Sequence, residues 1–403
     1  MITNFFIRNP ESTMVTRLFN KYIEEFDKNL KINIVNGLID YGHWWGHFEK
    51  PIDIFQYIDN ITLDSMRKDV NTYFLLDSSL EGYSQINSHP YAQVLYYNCD
   101  KYNIPYHKII FVTGNLRDAE YIQKYNQENN IKNSIKVLEI LAFKRSMHDN
   151  FKHHRDPYSR KPIVALRKLK NLSYEKYEDR IFLSLSRINR DHRILANFLL
   201  YSYNLKQYGL CSQDTISPNH TISHLYPIHD VKYQQFLTTL PYIVDTTDFE
   251  TNHGSNMNTE LYSKTLFEIA NETMSDNYNG TSLFYSEKTF KPIANFQPFI
   301  IFGQQYCNQK LQDHGFKLYH DYFDYDFDNE PNTYKRYIKI IKQLQNLTIK
   351  LNQMSRDEKL AWKYQSEDIL LHNFKELKKN RLEKESFFNL FEHIKKDIII
   401  TKN

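Results

Sequence analysis

The feature that most constrains this 403-residue chain is a recurring unit: a short apolar run, a polar stop, then a stretch of helical period. Its clearest copy is Arg180-Ile181-Phe182-Leu183-Ser184-Leu185-Ser186, followed by Arg187 to Asn197, which turns into a helix. A strand that apolar is buried on both faces, and strands alternating with helices imply parallel pairing through crossover connections. The chain is long enough for two such cores and an appendage, at roughly 100 to 200 residues per domain.

In the first half, an amphipathic helix is predicted near Ser12 to Asp27, then strands at Leu30 to Val35 and Tyr73 to Leu76, the second ending in Asp77-Ser78-Ser79. A helix around Tyr91 to Asn98 leads to the β-branched run Lys108 to Val112, which stops at Thr113-Gly114-Asn115. Leu116 to Asn126 reads as helix and Ile135 to Ile140 as strand. Residues 145–179 are polar and Lys-rich without clear period, which places the interdomain connection there. The second half adds strands at Leu266 to Ala270 and Pro298 to Phe302. A helix then carries Tyr337, Ile340, Ile341, Leu344 and Leu351 on one face. Ser355-Arg356-Asp357-Glu358 has capping-box spacing, and Leu382, Phe387, Leu390, Phe391 and Ile394 form a last apolar stripe. These readings give an N-terminal α/β domain over 1–160, a C-terminal α/β domain over 175–350 and a helical extension over 351–403, packed on either domain.

Only 10 Gly and 12 Pro are present, and neither G-x-G-x-x-G nor G-x-x-x-x-G-K-[ST] occurs, so a nucleotide must be held by side chains and helix N-termini. A net charge of +3 lacks the basic footprint of a duplex-DNA binder. Cys99, Cys211 and Cys307 have neither disulfide-framework nor zinc-ribbon spacing, which fits a reducing compartment. With no basic leader and no run near 18 apolar residues, the expectation is a chain without a membrane span, working in the cytoplasm of a bacterium or of a virus-infected host.

The most informative stretch runs from Leu266-Phe267-Glu268-Ile269-Ala270-Asn271-Glu272-Thr273 through Ser286-Glu287-Lys288-Thr289 to Gln297-Pro298-Phe299-Ile300-Ile301-Phe302-Gly303. It reads as strand, loop, helix N-terminus, strand. Loops at the C-terminal ends of parallel strands line the ligand crevice, so Glu272 and Glu287 are expected to face it. Lys288 adds its charge to a helix N-terminus where a diphosphate would sit. Arg187, Arg190 and Arg193, with His192, follow the strand at Phe182, and guanidinium forks suit phosphate oxygens. Arg193 is the first choice among them.

This segment resembles the donor-binding region of the α-1,3-fucosyltransferase family, in which a strand ending Phe-Glu-Asn precedes Thr-Glu-Lys, a helix and Pro-Ile-x-x-x-Gly. Glu272 matches the first motif; Glu287 and Lys288 match the second, with Ser286 in place of Thr. His320-Asp321-Tyr322-Phe323 and the Tyr337 helix are similar to the family's continuation, and Arg193 falls where the family carries its diphosphate-binding arginine. The resemblance spans roughly residues 180–350. It implies a GT-B-like fold, two Rossmann-like domains facing across a cleft. It also implies inverting transfer of a sugar from a nucleotide-sugar donor, GDP-fucose in that family, to a glycan or other hydroxyl acceptor. Neither a cofactor nor a divalent metal is expected, the nucleotide sugar being a co-substrate.

Inverting transfer needs a general base, normally a carboxylate. The family's base lies in Thr-Gly-Glu-Asn; Thr113-Gly114-Asn115 resembles that motif without its Glu. Asp77 and Glu81, at a strand's C-terminal end, rank as candidates above Glu49. Asp324, Asp326 and Asp328 include the D-x-D spacing of metal-dependent transferases, but read better as an acidic loop; Asp321 could touch the donor. His43-Trp44-Trp45-Gly46-His47 lacks the Glu of a zinc helix, and its two tryptophans suit either stacking on an acceptor sugar or burial in a core. Alternatives from other classes are a transferase acting on hydroxylated DNA bases, with nucleic acid entering only as acceptor, and a non-enzymatic nucleic-acid- or carbohydrate-binding protein.

Overall fold

The structure, a computed structural model, describes residues 14–38, 53–56, 58–80, 82, 85–86, 89–153, 161–217, 222, 225, 231–245, 259–275 and 282–402. The chain forms two compact units. The first comprises Met1–Ala142, Tyr278–Phe284 and Asn380–Asn403; the second comprises Phe143–Asn277 and Tyr285–Lys379.

In the first unit, α1 (Met14–Phe26), β1 (Asn33–Leu38), α2 (Asn60–Lys68) and β2 (Thr72–Ser78) are followed by a small antiparallel pair, β3 (Gln85–Ile86) and β4 (His89–Pro90). Next come α3 (Tyr91–Tyr102), β5 (Ile109–Thr113), α4 (Asp118–Glu128) and β6 (Lys136–Glu139). The sheet runs β1-β2-β5-β6, all parallel and in simple chain order. Alternation along β2 and β5 explains the two cores. Phe74, Leu76, Ile109 and Phe111 face Phe55, Tyr91 and Leu95 on one side. Tyr73, Leu75, Ile110 and Val112 face the other, where Val15, Phe19 and Tyr22 of α1 repeat at helical spacing. The same face takes Phe387, Phe391 and Ile394 of the C-terminal helix, Arg381–Lys402, with Phe19 edge-on to Phe391 at 4.9 Å.

The second unit opens with α5 (Ala142–His153), whose first residue still belongs to the first unit, and α6 (Pro162–Lys176). It continues through β7 (Arg180–Ser186), α7 (Asp191–Ser202), β8 (Gly209–Gln213), α8 (Val231–Thr238), α9 (Thr259–Ser263) and β9 (Thr265–Asn271). After α10 (Glu287–Ala294) come β10 (Phe299–Phe302), α11 (Cys307–Asp313), α12 (Thr333–Asn352), α13 (Arg356–Lys363) and α14 (Glu367–Lys378). Its sheet runs β10-β9-β7-β8, again all parallel, but with a reversal: β8 joins one side of β7 and β9 the other.

Helix ends follow the sequence chemistry. Asn332 caps α12 by accepting from the Lys335 N–H at 2.9 Å. Ser355 and Glu358 form the reciprocal capping box of α13. Tyr337, Ile340, Ile341, Leu344 and Leu351 of α12 are all buried, as their spacing predicts.

Three expectations need correction. The polar stretch 145–179 is largely helix, and the boundary between units falls at 142–143. The period of α6 is obscured because Ala165, Leu166, Leu169 and Ser173 make a narrow buried stripe, while Ile163 and Val164 face outward. The helices after 351 form no separate part; they pack on either unit, as their apolar stripes predict. Trp362 of α13 packs on Phe267 and Phe374 of α14 stacks on Phe296 in the second unit, whereas the last helix belongs to the first. Finally, β8 was missed: Gly-Leu-Cys-Ser-Gln is a short edge strand with little apolar signal. Among the described residues, no helix is long and apolar enough to cross a membrane.

Candidate functional site

The reversal in the second sheet lies between β7 and β9, whose C-terminal ends are tied by Asn271 Nδ2 donating to Ser184 Oγ at 2.8 Å. Ligands of parallel sheets bind beyond such a switch point. The loop after β7 and the start of α7 send three side chains to the backbone just past β9. Arg190 Nη1 donates to the Thr273 carbonyl at 2.7 Å, His192 Nε2 lies 2.9 Å from the Glu272 carbonyl, and Arg193 Nε donates to that same carbonyl at 3.1 Å. Arg193 Nη2 reaches Thr273 Oγ1 at 3.4 Å. Among the described residues, Arg190 Nε and Nη2 and Arg193 Nη1 make no hydrogen bond.

The charges of these groups govern one another. Burial, then the Arg193, Arg190 and Lys288 cations, push His192 down to about 3. The ring is therefore neutral at physiological pH, and because a carbonyl only accepts, its proton sits on Nε2. Burial and the neighbouring Arg190 lower Arg193 to about 10, still cationic at neutral pH. Arg193 also feels Glu272 and Glu287, so the sequence-predicted Arg193, Glu272, Glu287 and Lys288 are brought together. Arg187 opens the loop after β7 and is half-buried.

Glu272 departs from expectation. Rather than facing an open crevice, it is 1% exposed, and its carboxylate clasps the start of α10. It accepts from the N–H groups of Thr273 at 2.9 Å and Ser286 at 3.1 Å, from Ser286 Oγ at 2.7 Å and from Thr289 Oγ1 at 2.5 Å. Ser286 in turn caps the helix, accepting from the Lys288 N–H at 3.4 Å. The anion that this helix N-terminus favours is thus supplied by the chain itself, so the helix start is not a vacant diphosphate site. Gly303 packs against this clasp: a Cβ there would sit 3.3 Å from Glu272 Cβ.

On the first turn of α10, Lys288 Nζ lies 2.5 Å from Glu287 Oε1. Burial pushes the Glu287 carboxyl up, but Lys288 and Lys291 together outweigh it and hold it below the ordinary value. The arrangement is an ionised carboxylate beside a group of cations, able to accept from a hydroxyl while the cations take phosphate oxygens.

The sequence reading passed over Glu268 and Lys291. Glu268, 4% exposed in the middle of β9, is pushed up to about 8 by burial, with Lys291 and the Tyr262 hydroxyl pulling the other way. A carboxylate inside an otherwise apolar strand was the signal, and Glu287 to Lys291 is the one-turn helical spacing. It also passed over Arg336, 1% exposed on α12, which donates to the carbonyls of Gly303 at 3.0 Å and Ser275 at 2.6 Å and so braces both ends of the site's loops.

In the first unit, Asp77 stands at the C-terminal end of β2, but its side chain is buried rather than turned outward. Asp77 Oδ1 accepts from the Ser79 N–H at 3.0 Å, and burial raises its pKa. Glu81, Glu49 and the His43–His47 segment lie outside the described residues. The Thr113-Gly114-Asn115 turn is a structural knot. Thr113 Oγ1 and Asn115 Nδ2 donate to the fully buried Asp118 at 2.5 and 2.8 Å, and Asn115 Oδ1 accepts from the Leu283 N–H at 2.8 Å.

The aspartates of the acidic loop also have structural roles. Asp328 caps α11, accepting from the N–H groups of Asn308 and Gln309 at 3.1 and 2.9 Å. Asp324 takes the Asp326 N–H at 3.0 Å, and Asp321 accepts from Ser366 Oγ at 2.8 Å. Comparison of the chain with protein families, with curated proteins and with solved structures finds no match.

Proposed function

We propose that the chain is a GT-B glycosyltransferase that moves a sugar from a nucleotide-sugar donor to a hydroxyl acceptor, with inversion, without a metal and in the cytoplasm. The observation that carries this reading is the convergence of Arg190, Arg193 and Lys288 beyond the β7/β9 switch point, with guanidinium donors still unused. In this reading the arginines and Lys288 take the diphosphate and Glu287 accepts from a ribose or sugar hydroxyl. Asp77 or Glu81 serves as general base. A carboxyl raised by burial, as Asp77 is, moves toward the pKa that a base needs at neutral pH. GDP-fucose is the first donor to try, on the resemblance of residues 266–303.

The test is incubation of the full chain with GDP-fucose and a panel of GDP- and UDP-sugars, reading nucleotide release, beside thermal shifts with GDP and UDP. Release from one donor is the expected result, and it persists in EDTA. If no nucleotide raises Tm, the reading fails. The second reading, a binding protein without transfer, is favoured by the self-filled N-terminus of α10. Stabilisation by a nucleotide without release from any sugar donor would establish it.

A further inference from the structure

Along the edge strand β8, an open cavity of about 460 Å³ runs from Gly209 toward Tyr242, whose backbone pairs with Gln213. Arg180, the first residue of β7, and Lys206, just before β8, bring two cations to it, and Tyr201 and Tyr242 give it aromatic walls. Its described lining includes no carboxylate. Arg180 Nη1 donates to the Gln207 carbonyl at 2.8 Å, while Nε and Nη2 make no hydrogen bond among the described residues. Lys206 Nζ sits 3.5 Å from the centre of the Tyr242 ring and makes neither hydrogen bond nor ion pair among the described residues. The ring faces that ammonium, so the cation is held in place with its N–H groups unspent.

Both charges also reach Cys211, a buried lining residue. Burial holds its thiol up to about 12 despite them, so no thiolate neutralises the cations. Burial also lowers Lys206, opposite to the effect of an acidic partner. The seven residues of β7 put Arg180 about 20 Å from the strand's other end, where the loop to Arg190 and Arg193 begins, so the cations of this cavity are not those of the nucleotide site. Two cations without a carboxylate in the described lining, beside aromatic walls and in a volume typical of small-molecule sites, define a ligand by charge and shape.

We propose that this cavity is a second binding site, for a small aromatic anion whose oxyanion head meets Arg180 and Lys206 and whose ring lies along Tyr201. It is independent of the nucleotide-sugar reading. The test is titration of the full chain with phenyl phosphate at low salt by calorimetry, with phenol as the uncharged control. The expected result is saturable binding of phenyl phosphate and at least about tenfold weaker binding of phenol. Lys206→Met and Arg180→Gln each weaken phenyl phosphate about tenfold or more, Lys206→Arg retains it, and Arg193→Ala leaves it unchanged. Absence of saturable binding overturns the proposal. So does binding that survives both Lys206→Met and Arg180→Gln, or that disappears with Arg193→Ala. The charge-conserving Lys206→Arg separates a lost ligand contact from a lost fold.

Discussion

The two sheets have the same number of parallel strands and end differently. In the first unit the strands follow chain order, and the turn after β5 is filled by the protein itself. Asn115 Oδ1 and the Leu116 N–H hold the two backbone groups of Leu283, both at 2.8 Å, and Ser282 Oγ donates to the Gly82 carbonyl at 2.6 Å. Its buried carboxyl, Asp118, is surrounded by a hydroxyl and an amide, and burial raises its pKa well above the ordinary value. In the second unit the strand order reverses, and the buried carboxylate Glu272 stands among Arg190, His192, Arg193 and Lys288. Both carboxyls fix a helix start, so a buried acid at a strand end does not mark a site. The guanidinium donors left unspent beside the second one set it apart from the first.

Substitutions can break or sharpen this contrast. The largest effect is expected from Glu272→Ala. It leaves the Ser286 N–H and the Ser286 and Thr289 hydroxyls without their acceptor, at about 1–3 kcal/mol for each unsatisfied group and about 3–5 kcal/mol together. Urea denaturation measures it, and a cost below about 1 kcal/mol would mean that the carboxylate is not the clasp of α10. Next, Arg193→Ala is expected to weaken nucleotide binding about 100-fold, or about 2.7 kcal/mol, in a titration with GDP. Asn115→Ala removes partners of Asp118 and Leu283 and is expected to cost about 1–2 kcal/mol of stability with GDP affinity unchanged. Equal losses of affinity in Arg193→Ala and Asn115→Ala would erase the difference between the two sheet ends.

The last contrast appears only with pH. Glu268 is raised from 4.5 to about 8, so its contribution to stability is fully present below about 4.5 and is lost as pH rises through 8. Glu268→Gln, a neutral isostere of the protonated acid, is expected to match the parent near pH 4.5 and to have the higher Tm near pH 9. Parallel Tm-against-pH curves for the two proteins would remove Glu268 from that account.

Much of the fold was legible because strand runs such as Arg180–Ser186 and the stripe of α12 state their period plainly. The same holds for the Ser355 capping box, whose two partners are three residues apart. What could not be read is long-range. Glu272 looked like a ligand group because its acceptors' partners, Ser286 and Thr289, lie across a loop. Nothing local tells a clasp from a ligand contact. Arg336 was hidden for the same reason, since its carbonyl partners at Gly303 and Ser275 carry no side-chain signal. The cation cluster was half legible. Arg190, His192 and Arg193 stand close in sequence, but only the chain reversal between β7 and β9 brings Lys288 beside them.

The first unit is assembled from three separate stretches of chain, the last beginning at Asn380. A ribosome emits that stretch after the whole of the second unit, so the unit that is begun first is completed after the other. Phe19 and its neighbours on α1 must wait some 370 residues for Phe387 and Phe391, and the second unit, closed by Lys379, has all its parts before them. A nascent chain stalled before Arg381–Lys402 would therefore carry a finished second unit and a first unit whose one apolar sheet face is covered by α1 without that helix, the state in which a chaperone would be needed most.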